Sequence, residues 1–262
     1  MKWRKGKNKM VKSKSVVRKR LRDVKCDSHA CRVLKALRAT GLFRWERPST
    51  RGEEALNVLT HGIGIGLAIA GLVLLVVYAA IAGDAWAVVS CAIFGATMIA
   101  LYLGSTMCHA LIGKKGECFF EVWDNIAIYA LIAGTYTPFM LVNCRGAVGW
   151  SVFGFLWAIT ILGAIIKIRN PHQQPKGTVV LYLAMGWTLL FILPDMIQHI
   201  SPRGLWFILA GGLSYSIGVI FYVWRRLKFS HMVWHLFCIA GSVCFFFAVL
   251  YGSIIDYPFI AG

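Results

Sequence analysis

The sequence predicts an all-α, polytopic membrane protein: a seven-transmembrane helix bundle. Three observations predict it. Of 262 residues, 58% are hydrophobic, and the apolar residues gather into seven runs between charged or Gly/Pro-rich breaks. The runs are about 20 residues long, the length that crosses a hydrocarbon core at 1.5 Å per residue. The basic residues avoid the runs and concentrate at the breaks and at one terminus. Backbone groups in lipid have no water to bond, so spans of this composition fold as helices.

The elements follow in order. Residues 1–52 read as a basic cytoplasmic tail, largely disordered, because 18 of the 28 Lys and Arg lie between Lys2 and Arg51 with little apolar periodicity. A short helix over Cys31–Phe43 is the one element expected there. The tail's expected partner is anionic lipid headgroups; nucleic acid is not expected, although the formal net charge is +17, because the charge is not spread over a folded surface. A signal peptide is not expected, because about fifty basic-rich residues precede the first apolar run. In "CDSHAC" the residues Cys26, His29 and Cys31 fit no strong metal template. Cys91, Cys108, Cys238 and Cys244 lie in apolar runs, which argues against a disulfide framework.

A membrane domain over residues 53–256 follows, with a short external tail at 257–262. Its spans are Leu56–Ile81, Trp86–Ile112, Val122–Val142, Val148–Ile168, Thr178–Leu193, Leu205–Trp224 and His231–Ile254. Short connections make the helices run up and down as neighbours. On this threading one side of the membrane carries 26 basic residues and the other two, Arg145 and Arg203. The imbalance predicts a cytoplasmic N-terminus and an external C-terminus. Small residues four apart, Gly62/Gly66/Ala70 and Ala210/Ser214/Gly218, are expected to let helices approach closely. Pro194 suggests a loop around Asp195 and His199.

Ionisable groups inside a span cost roughly 2.5–3.5 kcal/mol each on insertion scales, so each needs a reason. The first span opens "EEALNVLTHG", with Glu54, Asn57 and His61 on one helical face. The second ends "GSTMCHAL", with Ser105 and His109 four apart. The third opens "EVWDNIAIY", with Asp124 past Trp123, and the seventh carries His231 and His235 four apart. All four helix ends fall at one membrane boundary. A lone histidine there is ordinarily an interfacial residue, and a single HxxxH is a weak signal. Agreement in depth changes the weighing, because His109, His231 and His235 together make a three-imidazole site with an open fourth position, the arrangement of catalytic zinc. Asp124 then suits a general base, and Ser105 suits a donor to water or to a developing oxyanion. Glu54, Asn57 and His61 would stand behind the ligands. The alternative for Asp124 and Ser105 is a buried hydrogen-bonded network that joins spans.

The motifs "ALNVLTHGIG", "GSTMCHAL", "DNIAIYALIAGTYTPFML" and "RLKFSHMVWHLFCIAGSVCFFFAVL" resemble, in order and spacing, the hemolysin III family, the bacterial branch of the progestin and adipoQ receptor proteins. The resemblance covers roughly residues 53–254. It implies similarity to adiponectin receptors and, more remotely, to alkaline ceramidases, with a serine, an aspartate and three histidines around Zn2+. By motif those are Ser105, Asp124, His109, His231 and His235. It also implies a multi-pass protein of a bacterial inner (plasma) membrane.

Three functions remain open at this point. The first is a zinc-dependent hydrolase of a lipid amide or ester, with membrane lipids as partners. The second is a membrane-perturbing or channel protein, as the family name implies; no span carries the repeating polar face that a pore needs. The third is a receptor or sensor with structural zinc. Retinal chemistry is disfavoured, since the seventh span has no mid-membrane Lys.

Overall fold

A computed structural model describes residues 49–82, 85–171, 177–224 and 226–257. The basic segment 1–48, with the expected helix at Cys31–Phe43 and the Cys26/His29/Cys31 motif, lies outside the described residues, as does most of the C-terminal tail. The described chain is helical: α1 (Arg51–Ala82), α2 (Ala85–Ala110), α3 (Glu117–Pro138), α4 (Ala147–Arg169), α5 (Thr178–Gly186), α6 (Leu193–His199), α7 (Pro202–Val223) and α8 (Ser230–Val249). α3 and α8 each end in a π-helical turn, Phe139–Asn143 and Leu250–Ile255, and a 3-10 turn, Trp187–Ile192, joins α5 to α6. Seven spans result, each long and apolar enough to cross a membrane. The protein is a multi-pass integral membrane protein.

Local chemistry sets several boundaries. Thr50 and Glu53 form a reciprocal capping box on α1, with Thr50 N and Oγ1 donating to Glu53 Oε2 and Glu53 N donating back to Thr50 Oγ1. Ser201 caps α7, accepting from Gly204 N at 3.1 Å, and Pro202 occupies the first turn. The expected loop at Pro194 is instead the start of α6, because a proline in a helix's first turn loses no hydrogen bond. The fifth span therefore continues to His199.

Neighbouring helices in sequence pack as α1–α2–α3–α4, and α8 closes the bundle by packing on both α1 and α7. α3 is the axial helix: 78% of its apolar window is buried, against 17% in the fourth span. The far end is tied by Asn143, which donates to the carbonyls of His199 and Gly252 and accepts from Ser253 Oγ.

The small-residue contacts differ from the expected register. A Cβ on Gly62 or Gly66 would meet nothing within 4 Å, whereas one on Gly64 would lie 2.7 Å from the Tyr102 ring. The buried stripe of α1 runs Asn57, His61, Gly64, Ala68, Leu75 and Ala79, so Gly62, Gly66 and Ala70 fall off it. On α7, Gly218 presses on Phe237 and Trp234 and Ser214 donates to Phe237 O, while Ala210 points away.

Candidate metal centre

Four helix termini meet at the end of the bundle where α1, α3 and α8 begin and α2 ends. The loops at this end carry Lys114, Lys115, Arg226 and Lys228. Heptad-like spacing does the local work: four residues is about one helical turn, so Ser105 and His109 share a face of α2, and His231 and His235 share one of α8.

The three imidazoles converge. One ring nitrogen of each of His109, His231 and His235 lies within 4.8 Å of the other two, and the group could hold a metal ion. His109 Nε2 and His231 Nε2 are 3.2 Å apart. His235 is deepest, 1% exposed.

α1 gives no ligand to this set, holds two of its members directly and anchors the turn before the third. Glu54 Oε2 lies 2.7 Å from His109 Nδ1. The carboxylate accepts that N–H, which leaves a lone pair on Nε2. His235 is set the same way. Its Nδ1 is 3.2 Å from Thr60 Oγ1, and the ring also bonds the Asn57 backbone. The single Thr60 proton goes to the backbone, 2.8 Å to Leu56 O, so Nδ1 of His235 must be the donor and Nε2 carries the lone pair. Finally, Glu53 Oε1 accepts from Phe229 N at 2.9 Å, anchoring the turn that leads into α8. Phe229 has φ +61°, a left-handed conformation costing about 1 kcal/mol or more for a residue with a Cβ.

This geometry passes an elementary test of fit. Two imidazole lone pairs facing each other across 3.2 Å repel unless a proton or a cation stands between them. With Nδ1–H of His109 already given to Glu54, its Nε2 lone pair accepts either the N–H of His231 or an ion, and an ion is the one that all three imidazoles can share. Glu54→Ala is expected to weaken metal binding about 10- to 100-fold, measured by competition with a chromophoric chelator, because the freed ring loses both its orientation and its preferred tautomer.

The other expected residues are brought to the same place. Ser105, buried at 2%, hydrogen-bonds Asp124 across the α2–α3 contact. The Ser105 hydroxyl is the donor of this bond, since an ionised carboxylate only accepts. Asn57 donates to Glu54 Oε2 at 3.4 Å, while its Oδ1 is buried without a partner. His61 stacks on His235, ring centroids 3.4 Å apart, and neither of its nitrogens makes a hydrogen bond. Glu53 and Thr60 escaped the sequence reading. The Thr50-x-x-Glu53 capping box was a usable signal for the first; nothing local marks the second.

Apart from Thr60, all of these residues border one cavity of about 980 Å³. It runs from the histidines towards the middle of the bundle, where Leu131, Tyr136, Trp187, Tyr215 and Phe245 line it. From Asp124 to Tyr136 along α3 is about 18 Å at 1.5 Å per residue. One wall is polar at one end; the remainder is apolar and aromatic.

Residues 49–246 match the family described as Haemolysin-III related. The chain is 41% identical to Hemolysin-3 of Bacillus cereus over 199 residues, 76% of this chain and 91% of the relative. It is 39% identical to the Hemolysin-3 homolog of Bacillus subtilis (strain 168) over 209 residues, 80% and 98% of the two chains. It is 28% identical to the Monocyte to macrophage differentiation factor of Homo sapiens over 214 residues, 78% and 87%. No solved structure matches.

Proposed function

This chain belongs to the hemolysin III family, and from that premise we propose that it is a membrane-embedded zinc hydrolase acting on an amide or ester of a lipid. The observation that carries the reading is the convergence of three imidazoles with Asp124 and Ser105 at the polar end of an otherwise apolar cavity. The donor set suits zinc. Neutral imidazoles are common zinc ligands, and one ring nitrogen from each of His109, His231 and His235 lies within 4.8 Å of the other two.

His109, His231 and His235 would hold the ion, with three protein ligands leaving a fourth position free. When bound, zinc supplies Lewis acidity and makes water ionise near neutral pH. The chain's own groups do the rest. Asp124 would take up, at its carboxylate oxygen, the proton of the water that adds to the carbonyl carbon, and deliver it to the nitrogen or oxygen that leaves as the C–N or C–O bond breaks. Ser105 holds that carboxylate in place and turns its O–H towards developing negative charge when Asp124 is protonated. The apolar cavity takes the lipid chain and keeps bulk water away from the reacting end.

The test is elemental analysis of purified protein combined with fatty-acid release from N-acyl and O-acyl lipids in mixed micelles. One zinc per chain, with release abolished by a chelator and restored by zinc, is the expected result. A folded protein without zinc, or a zinc-loaded one that releases nothing while leaking dye from vesicles, overturns the reading in favour of the membrane-perturbing activity that the bacterial relatives' name suggests.

A further inference from the structure

His61 is buried, 3% exposed, yet neither Nδ1 nor Nε2 has a hydrogen-bond partner. A buried polar atom left unpaired is costly, and such exceptions in a folded protein call for an explanation. Its surroundings are aromatic. One face lies on His235, centroids 3.4 Å apart and planes 13° from parallel. Tyr102 meets it edge-on at 5.1 Å and 78°. Tyr102 is itself fixed, donating its hydroxyl to Ser242 Oγ at 2.7 Å, and Ser242 is bonded again to Tyr215 OH at 2.8 Å. Gly64, one turn along α1, makes room for the Tyr102 ring, since a Cβ there would lie 2.7 Å from it.

Two roles are closed to His61 by this geometry. An imidazole binds a metal along a lone pair in the plane of its ring. Two nearly parallel rings stacked face to face cannot both hold one ion in their planes, so His61 is no fourth ligand in this arrangement. A proton carrier needs a partner to give to or take from, and His61 has none. Its flat face is what it offers. We propose that His61 is a positioning residue: a plate that fixes the plane of His235, while Thr60 and the Asn57 backbone fix that ring's edge and Tyr102 braces the plate. The torsion that rotates a histidine ring is broad and weakly restrained on its own. A hydrogen bond at Nδ1 still lets the ring tilt about that bond; a stacked neighbour removes the tilt, so the ring is oriented before an ion arrives. The inference rests on the reading that His235 is a metal ligand.

The test compares wild type, His61→Phe, His61→Leu and His61→Met in the full-length detergent-solubilised protein. Zinc affinity is read by chelator competition, and ligand geometry by the visible absorption of the Co2+ form. Phe keeps the plate and discards the nitrogens. It is expected to bind zinc within about threefold of wild type, with an unchanged Co2+ spectrum, and to unfold at or above the wild-type temperature. Leu and Met keep bulk without the plate. Both are expected to lose about 10- to 100-fold in affinity and to broaden the Co2+ bands, while their metal-free forms unfold cooperatively. Met serves where Leu fails to fold. Wild-type affinity in Leu and Met overturns the inference, and so does a Phe variant as weak as they are, because the nitrogens would then be what matters. A wild-type protein that binds neither metal overturns the zinc reading itself, and this inference with it.

Discussion

Replacing Asp124 by Asn is expected to lower the proposed lipid hydrolysis about 10²- to 10⁴-fold, the usual worth of a positioned general base, and to leave the expected one zinc per chain in place. The amide keeps the size of the carboxylate and can still accept the Ser105 O–H through its own oxygen. It cannot take up a proton. Asp124 lies outside the three-imidazole group, so the ion keeps all its protein ligands and loses only a nearby negative charge. Initial rates and elemental analysis on the same preparation check this. Loss of zinc together with rate would make Asp124 part of the ion's support. An unchanged rate would move the base elsewhere, and of the two other carboxylates that line the cavity, Glu53 and Glu54, the one bonded to His109, Glu54, would be the next to examine.

Much of this centre was legible in the sequence because a membrane boundary acts as a ruler. Hydropathy locates each span's ends, and residues at one boundary share a depth, so His109, His231, His235, Asp124 and Ser105 could be grouped without knowing how the helices pack. Glu54 followed from its place three residues before Asn57 and seven before His61 on one face. Depth gives no azimuth, however. It could not say that His61 stacks on His235 without bonding it, nor that Thr60 reaches the same ring. Glu53 is the clearest case. Its bond to Phe229 N joins residues 176 apart in sequence, and no local pattern announces such a pair.

The spans themselves were read correctly in number and closely in extent, since a run of apolar residues flanked by charge needs no tertiary information. Errors arose where that signal is blind. α3 begins at Glu117, five residues before the expected Val122, because a helix runs past the hydrocarbon edge as soon as its acidic first turn is satisfied; Glu117 Oε2 accepts from Gly113 N at 2.7 Å. Likewise Pro194 stops a helix interior but not a helix start. The glycine register on α1 failed for a different reason. Several glycines there share four-residue spacing, and only the buried polar stripe of Asn57 and His61 tells which row faces the bundle. Buried polar residues thus gave a better packing register than small ones.

His235→Ala and His231→Ala should each cost zinc affinity by a similar factor, but only His235→Ala should also cost the metal-free protein much stability. Structural zinc sites with four protein ligands bind with roughly 10–16 kcal/mol; one lost imidazole of three is therefore worth on the order of 3–5 kcal/mol, or about 10²- to 10⁴-fold in affinity. Both variants lose that. The difference lies in burial. His235 is enclosed, 1% exposed, between the His61 ring and Thr60. Its removal leaves a cavity and strips the stacked face from His61; large-to-small changes of buried rings cost about 3–5 kcal/mol. His231 is only partly buried at the mouth of the cavity, so its side chain can be replaced by water. Thermal unfolding with and without zinc separates the terms. Wild type and His231→Ala should unfold at similar temperatures in excess chelator, with only wild type gaining strongly from zinc, and His235→Ala should unfold lowest in both conditions. Equal metal-free stabilities for the two variants would mean that His235 is not the packed centre of the site, and the assignment of α1 as the element that orients it would have to be withdrawn.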